Sequence, residues 1–331
     1  MSDHVSATPS ALFEHLVQQG LADLPLPGRG QTLERWQMLS AVARHNLSLA
    51  KFYEGHTDAL AILAELGSPT ATTGHSWAMW AAEAPDHRVV VTPQGASGLA
   101  TLSGSKAWCS GSHAVTHALL TAWLDGEPQP QLVAVAMSHP SIRSTARDWH
   151  AVGMADTLSA QVTFQETPAT LIGRPGDYLK RPGFWHGGAG IAACWYGGAL
   201  AVADALRVQM QNASPKHPGY PFRAASFGKV DSALGAVAAL LRESAAHIDA
   251  DPRAQAMALA LRVRQAAHAA ATLVLTETGR ALGAAPFCRD AAFAQAAADL
   301  PVFLRQSHGD RDDAALASAV MAQDTSHLWS L

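Results

Sequence analysis

Cysteine is scarce and scattered. Cys109, Cys194 and Cys288 are the three in the chain, they stand far apart, and none belongs to a C-x-x-C pair. This argues against a disulfide framework or a zinc site and suits reduced, buried thiols in an intracellular protein, with no metal called for. Charge is thin too: Asp, Glu, Lys and Arg make up 15% of the 331 residues, against roughly 25% in ordinary soluble domains. With 48% hydrophobic residues, the chain must have a large core, surface buried between subunits, or both. Both are expected, hence a homodimer or larger. A basic surplus is also missing. The net charge of -4 and pI near 6.4 offer no footprint for nucleic acid.

No secretory signal is expected, because the opening Met1-Ser-Asp-His-Val-Ser6 has no basic region followed by an apolar run. Residues 182–203 carry no formal charge, yet they are crowded with glycine and include His186. A buried helix is therefore expected there, not a membrane span. The expected location is cytoplasmic, with no membrane partner.

The pattern along the chain changes twice. Residues 10–67 read as helices: Leu12, Phe13, Leu16 and Val17 form one apolar set, Thr32 is the expected N-cap of a second helix, and a third runs over 57–66 to a C-cap at Gly67. From 72 to 172, short β-prone runs at 89–92, 118–123, 131–136 and 161–164 alternate with Gly, Pro, Asp and Ser. That spacing suits an antiparallel barrel or sandwich. Beyond a turn-rich linker the chain is Ala-rich, with Leu234, Val237, Leu241 and Ile248 at helical spacing, and a bundle is expected. The fold class is α+β. The expected domains are 1–71 (short and helical), 72–178 (antiparallel β-barrel) and 179–331 (helical bundle).

Within the β region, Leu102-Ser-Gly-Ser-Lys-Ala-Trp-Cys-Ser110 is followed by Gly153-Met-Ala-Asp-Thr157 and then Phe164. These segments, in this helix–β–helix order, resemble the acyl-CoA dehydrogenase family, with its "L-x-G-x-K-x-W-x-T" strand, "G-x-R-x-S" turn and "V-x-F" strand. Ala155 replaces the usual Arg. The resemblance runs from about Phe13 to Asp312 and implies FAD between barrel and bundle, with Trp108 against the ring and Ser110 near its reactive nitrogen. An aromatic covering a planar ring and a hydroxyl able to donate or accept are chemically apt.

Other segments match in part. Arg223-Ala-Ala-Ser-Phe227-Gly resembles an "R-x-x-F-G" signature that reaches the flavin phosphates of a neighbouring subunit, with its Arg displaced by one residue. Gly283 is the one clean match to a "Q-x-x-G-G-x-G" segment, here Glu277-Thr-Gly-Arg-Ala-Leu-Gly283. The loop at Trp80-Ala-Ala-Glu83-Ala-Pro stands where the family has "T-E-P-G-A-G-S-D", and only Glu83 fits. The N-terminal helical domain is shorter than the family's.

The family's catalytic glutamate is missing. Its position falls near Ser307 in Phe303-Leu-Arg-Gln-Ser-His-Gly-Asp310. His308 or Asp310 can stand in as general base if held within reach, with His186 a more remote candidate.

The resemblance implies a flavin oxidoreductase that removes hydrogen across the α,β-bond of an acyl thioester, carried on coenzyme A or a carrier protein. Two alternatives stand beside it. One is a flavin monooxygenase, which does not need the glutamate. The other is a degenerate relative kept as a binding or assembly subunit. Three motifs are set aside: Gly188-Ala-Gly-Ile-Ala-Ala193 lacks a preceding strand, Ser103-Gly-Ser-Lys106 lacks other lactamase elements, and His113 with His117 lack a third ligand.

Overall fold

The computed structural model describes residues 7–68, 70, 72–95, 98–322, 326 and 328–330. The chain's opening hexapeptide and the boundary at 71 lie outside them. In chain order the elements are α1 (Pro9–Gln18), α2 (Thr32–His45), α3 (Leu47–Glu65), β1 (Trp77–Trp80), β2 (Val89–Pro93), β3 (Leu99–Cys109), β4 (His117–Ala122), β5 (Gln131–Ala136), β6 (Ile142–Thr145) and β7 (Ala160–Ile172). There follow α4 (Asp177–Lys180), α5 (Gly183–Asn212), α6 (Tyr220–Ala250), α7 (Met257–Leu282), α8 (Ala285–Arg289), α9 (Ala291–Phe303) and α10 (Asp310–Met321). They divide into two compact units: Met1–Leu24 with Ser48–Phe184, and Pro25–Leu47 with Trp185–Leu331.

The first unit is built on a seven-stranded sheet of order β1-β4-β5-β7-β3-β2, with β6 also paired to β7. Its central strands are apolar on both faces. Leu119, Leu132 and Ala134 pack with Trp77 against Ala59, Ile62 and Leu63 of α3. The alternate residues Ala118, Leu120, Val133 and Val135 join Val89, Leu102, Val162 and Phe164 in a second cluster. This is the period-two alternation of a strand, applied to strands covered on both sides.

The hydrogen-bonded path of the sheet stays open, so the expected antiparallel barrel is not shown. The path ends at β1 and β2, and β1 runs parallel to β4. β1 has only four residues, and the loop after it contains Pro85, which has no N–H to give a ladder. What joins the two sides is small. Trp123, just past β4, donates its N–H to the Val89 carbonyl (2.8 Å) and accepts from the Val91 N–H (2.9 Å). A buried ion pair, described below, does the rest. Gly104 is required on β3: at φ +115° it passes so close to Arg88 that a Cβ would collide with that carbonyl.

The helical unit holds α2 and the helices from α5 onward. α6 and α7 bury Val230, Leu234, Val237, Leu241 and Ile248 on one side and Leu261, Val263, Ala267, Ala271 and Val274 on the other, at spacings of three and four residues. α5 and α2 approach closely at Gly197, where a Cβ would meet the Ser40 carbonyl and lie 2.9 Å from Ala43 Cβ. α5 and α6 are each long and apolar enough to cross a bilayer by length and composition. In their most apolar stretches, 72% of α5 is buried but only 28% of α6. Much of α6 is thus left outward, its exposed positions carrying small residues such as Ala225, Gly235, Ala236 and Ala239 beside Lys229, Asp231, Arg242 and Glu243.

Two helix starts differ from the sequence reading. Gln31 is the N-cap of α2, and Thr32 is its first residue. The end is capped from a distance: Asp249 of α6 accepts from Thr32 N–H (3.0 Å), Thr32 Oγ1 (2.6 Å) and Gly30 N–H (3.0 Å). A tertiary carboxylate does there what a local side chain does in an isolated helix. α3 starts at Leu47, ten residues before the expected Thr57. β1 and β6 were not anticipated, each being only four residues long.

Candidate active site

In the sheet unit, chemistry gathers where β3 ends and β7 begins. The pairing of these strands slips between Lys106 and Cys109, so Ala107 and Trp108 form a bulge. Trp108 adopts φ 60° and is 60% exposed, an unusual state for so large an apolar residue. Its ring meets that of Trp149 edge-on, centroids 6.3 Å apart. On the facing loop, Met154 (φ 58°) and Leu158 (φ 39°) are also left-handed. Three non-glycine residues in that region cost roughly 1–3 kcal/mol each. Such strain concentrates where a surface is shaped for a ligand.

Ser110 follows Trp108 on this ledge. Its Oγ lies 2.7 Å from Ser159 Oγ, which lies 3.0 Å from Thr157 Oγ1, which donates to the Met154 carbonyl (2.8 Å). The β3–β7 register, with Cys109 opposite Ala160, puts Ser110 across from Ser159. The sequence reading gave the 149–159 segment a shaping role only and missed this contact. The register of two adjacent polar residues was the available signal.

Behind the ledge, Lys106 crosses the interior of the curved sheet. It is 1% exposed, and its Nζ donates to Glu83 Oε1 (2.6 Å), Thr121 O (3.0 Å) and Thr121 Oγ1 (2.7 Å). Glu83 also accepts from the Thr121 hydroxyl and, at 3.0 Å, from Trp123 Nε1. Burial works to raise the Glu83 pKa, but the hydrogen bonds of Lys106, Thr121 and Trp123 outweigh it and hold the carboxyl below its ordinary value. Burial lowers the Lys106 pKa, opposed by Glu83. Glu83 is therefore the clasp of the sheet, not a free base. Burial pushes the neighbouring Cys109 thiol up to about 12, which removes it as a nucleophile.

A planar aromatic ring with a polar edge fits this ledge. Trp108 offers an open apolar face, Ser110 a hydroxyl two residues on, and the clasp fixes the strand beneath them.

In the helical unit, Arg223 lines a cavity of about 760 Å³ with Arg44, Asp204, Leu282, Arg289 and Phe293. Asp204 pairs with Arg44 (2.7 Å) and Arg207 (2.9 Å). Arg223 and Arg289 have no side-chain hydrogen bond or ion pair among the described residues, so two guanidiniums are left for an anion. Phe227 is one turn along α6 from Arg223. Gly283 caps α7 at φ 67°, beside Leu282 of the cavity wall. Glu277, at the head of the degenerate segment, clamps α7 to α6 through Ser226 Oγ (2.8 Å) and Lys229 Nζ (2.9 Å). These two bonds, Lys229's first, hold its carboxyl below the ordinary value.

His308 and Asp310 are not brought together. Asp310 opens α10 beside Asp312 and Asp313, where negative charge complements the helix dipole, and it has no side-chain partner among the described residues. His308 is paired instead with Asp312, four residues on: Nδ1 is 3.4 Å from Oδ1, and its backbone N–H donates to Oδ2 (3.0 Å). Ser307, in the place of the glutamate, has its Oγ 3.3 Å from both Asp312 Oδ2 and Gln265 Oε1, which share its one proton. Asp312 was missed by the sequence reading, although its i+4 spacing on a helix start was visible. His186 is buried inside α5. Among the described residues no group of three or more His, Cys, Asp or Glu is placed to hold a metal ion.

No family model and no curated protein sequence matches the chain. Solved structures do. A methanesulfinate monooxygenase of Pseudomonas fluorescens is 21% identical with a TM-score of 0.78, over 96% of this chain and 91% of that one. A dibenzothiophene monooxygenase of Paenibacillus sp. A11-2, solved with FMN and indole, is 19% identical with a TM-score of 0.77, over 94% and 90%. A nitrososynthase of Micromonospora carbonacea var. africana is 18% identical with a TM-score of 0.77, over 96% and 90%. The chain has the acyl-CoA dehydrogenase-like fold of these proteins.

Proposed function

We propose that the chain is a flavin-dependent monooxygenase that takes reduced FMN from a separate reductase. The observation that carries this is the whole-length likeness to two monooxygenases and a nitrososynthase, one of them solved with FMN. It favours oxygen insertion over thioester dehydrogenation, and FMN over the FAD that the sequence resemblance implied. The absent glutamate supports it: Ser307 is a hydrogen-bonded hydroxyl, unsuited to removing an α-proton at neutral pH.

When bound, reduced flavin supplies two electrons to molecular oxygen, one atom of which enters the substrate while the other leaves as water. The protein's part is placement and proton handling. Trp108 offers the stacking face and Ser110 the polar contact at the ring edge. Arg223, seconded by Arg289, offers charge for a flavin phosphate contributed by a second copy of the chain, with Phe227 and Gly283 shaping that end. The exposed small-residue positions of α6 and the low charge content support such a homo-oligomer. A monomer by light scattering would remove this role from Arg223. His308, with Nδ1 turned to Asp312, keeps Nε2 for holding or delivering a proton at the substrate; Asp310 serves the helix start.

The test uses the purified full-length chain, FMN, a flavin reductase and NADH. Oxygen uptake that rises with the protein and with organosulfur or amine substrates supports the reading. Bleaching of bound oxidised flavin by acyl-CoA returns the reaction to dehydrogenation. A protein that binds neither FMN nor FAD is the degenerate subunit of the third reading.

A further inference from the structure

The hydroxyls beside Trp108 have a fixed polarity. Thr157 has one hydroxyl proton, and it goes to the Met154 carbonyl, which can only accept. Thr157 therefore accepts from Ser159, so the Ser159 proton is committed in turn. Ser159 must then accept from Ser110. The proton of Ser110 points inward along the chain, and any ligand that meets this hydroxyl finds only lone pairs.

We propose that this three-hydroxyl relay makes Ser110 an obligate hydrogen-bond acceptor and so selects reduced over oxidised flavin. The inference rests on the flavin reading above and adds to it a redox preference. The flavin nitrogen at the centre of the ring system carries hydrogen only after two-electron reduction; in the oxidised form it is a bare acceptor. An acceptor-only Ser110 makes one hydrogen bond with the reduced form and faces the oxidised form lone pair to lone pair. A buried hydrogen bond, made in one form and left unmade in the other, is worth about 1–1.5 kcal/mol, which is about tenfold in relative affinity. Such a preference suits an enzyme that captures flavin already reduced and lets it go once oxidised.

Ser159 is the positioning residue, because it touches Ser110 and not the ligand. Ser159→Ala removes the inward acceptor, frees the Ser110 proton to turn outward, and makes the oxidised form acceptable. Ser159→Thr keeps the hydroxyl.

The experiment measures dissociation constants for oxidised FMN and for anaerobically photoreduced FMN, on the full-length wild type, Ser159→Ala, Ser159→Thr and Ser110→Ala, each with a thermal melt. The wild type is expected to bind reduced FMN about tenfold more tightly, equivalent to about 30 mV in the bound two-electron potential. Ser159→Ala should lose most of that ratio and Ser159→Thr keep it. Ser110→Ala, which has no hydroxyl, should lose it as well, and this arm stands if Ser159→Ala does not fold. An unchanged ratio in Ser159→Ala or Ser110→Ala overturns the relay while leaving the flavin reading intact. A folded wild type that binds neither form overturns the flavin reading itself.

Discussion

Replacing Glu83 should harm the sheet unit more than replacing Lys106, although the two share one ion pair. The reason is unequal burial: the Lys106 side chain is 1% exposed and that of Glu83 38%. Glu83→Ala strands a buried ammonium with only the two oxygens of Thr121, and breaking one side of a buried pair costs about 3–5 kcal/mol. That cost has a ceiling. The ammonium can shed its proton, and discharging a group of ordinary pKa 10.5 at pH 7 costs about 5 kcal/mol. Lys106→Met leaves a carboxylate that water reaches and that still accepts from Thr121 and Trp123, so its cost is about 1 kcal/mol. Combining the two should cost less than Glu83→Ala alone, because the stranded charge is gone.

Urea midpoints followed by tryptophan fluorescence measure all four proteins, at pH 7 and pH 9. A Lys whose folded pKa is depressed binds fewer protons folded than unfolded, so stability rises with pH between the two values. That rise should be steepest in Glu83→Ala. On the acid side the slope has the same sign, for the same reason. Glu83 sits below its ordinary pKa, so its contribution is present above that value and lost as pH falls through the folded one. Wild type should show this loss and Glu83→Ala should not. Equal costs for the two single variants, or a double variant worse than Glu83→Ala, would refute the clasp.

Two further outcomes follow from packing. Gly197→Val should lower the melting temperature sharply, with about 3 kcal/mol lost to overpacking, because a Cβ there meets the Ser40 backbone. Gly235→Ala, in the open on α6, should be neutral or stabilise by about 0.5–1 kcal/mol; calorimetry on the pair separates close approach from loss of flexibility. A thiol reagent should titrate one of the three cysteines in the native protein and all three in denaturant, since only Cys288 is exposed. Native labelling of Cys109 would contradict its burial and its raised pKa.

Much of this architecture was legible in the residues alone. Short β-prone runs bounded by Gly, Pro, Asp and Ser marked β2, β4, β5 and the start of β7, because strands covered on both faces read as short continuous apolar runs, and helical spacing marked α1, α6 and α7. Trp108 and Ser110 stood out through their place in a recognisable strand. The chain's own residues also carried the absence of a glutamate near Ser307. Other features had no local signature. The open hydrogen-bonded path of the sheet and the Lys106–Glu83 clasp across it are decided by tertiary contacts, and the capping of α2 comes from Asp249, more than two hundred residues away. Local sequence sets which segments can be strand or helix; it does not say which distant carboxylate will meet an unpaired N–H or an ammonium. The ledge shows the same division. Sequence singled out Trp108 and Ser110 as residues apt for a flavin, through resemblance. Only the tertiary structure aligned Ser110 with Ser159 and Thr157, because the direction of a hydroxyl proton is decided by the last acceptor in its chain, here the Met154 carbonyl.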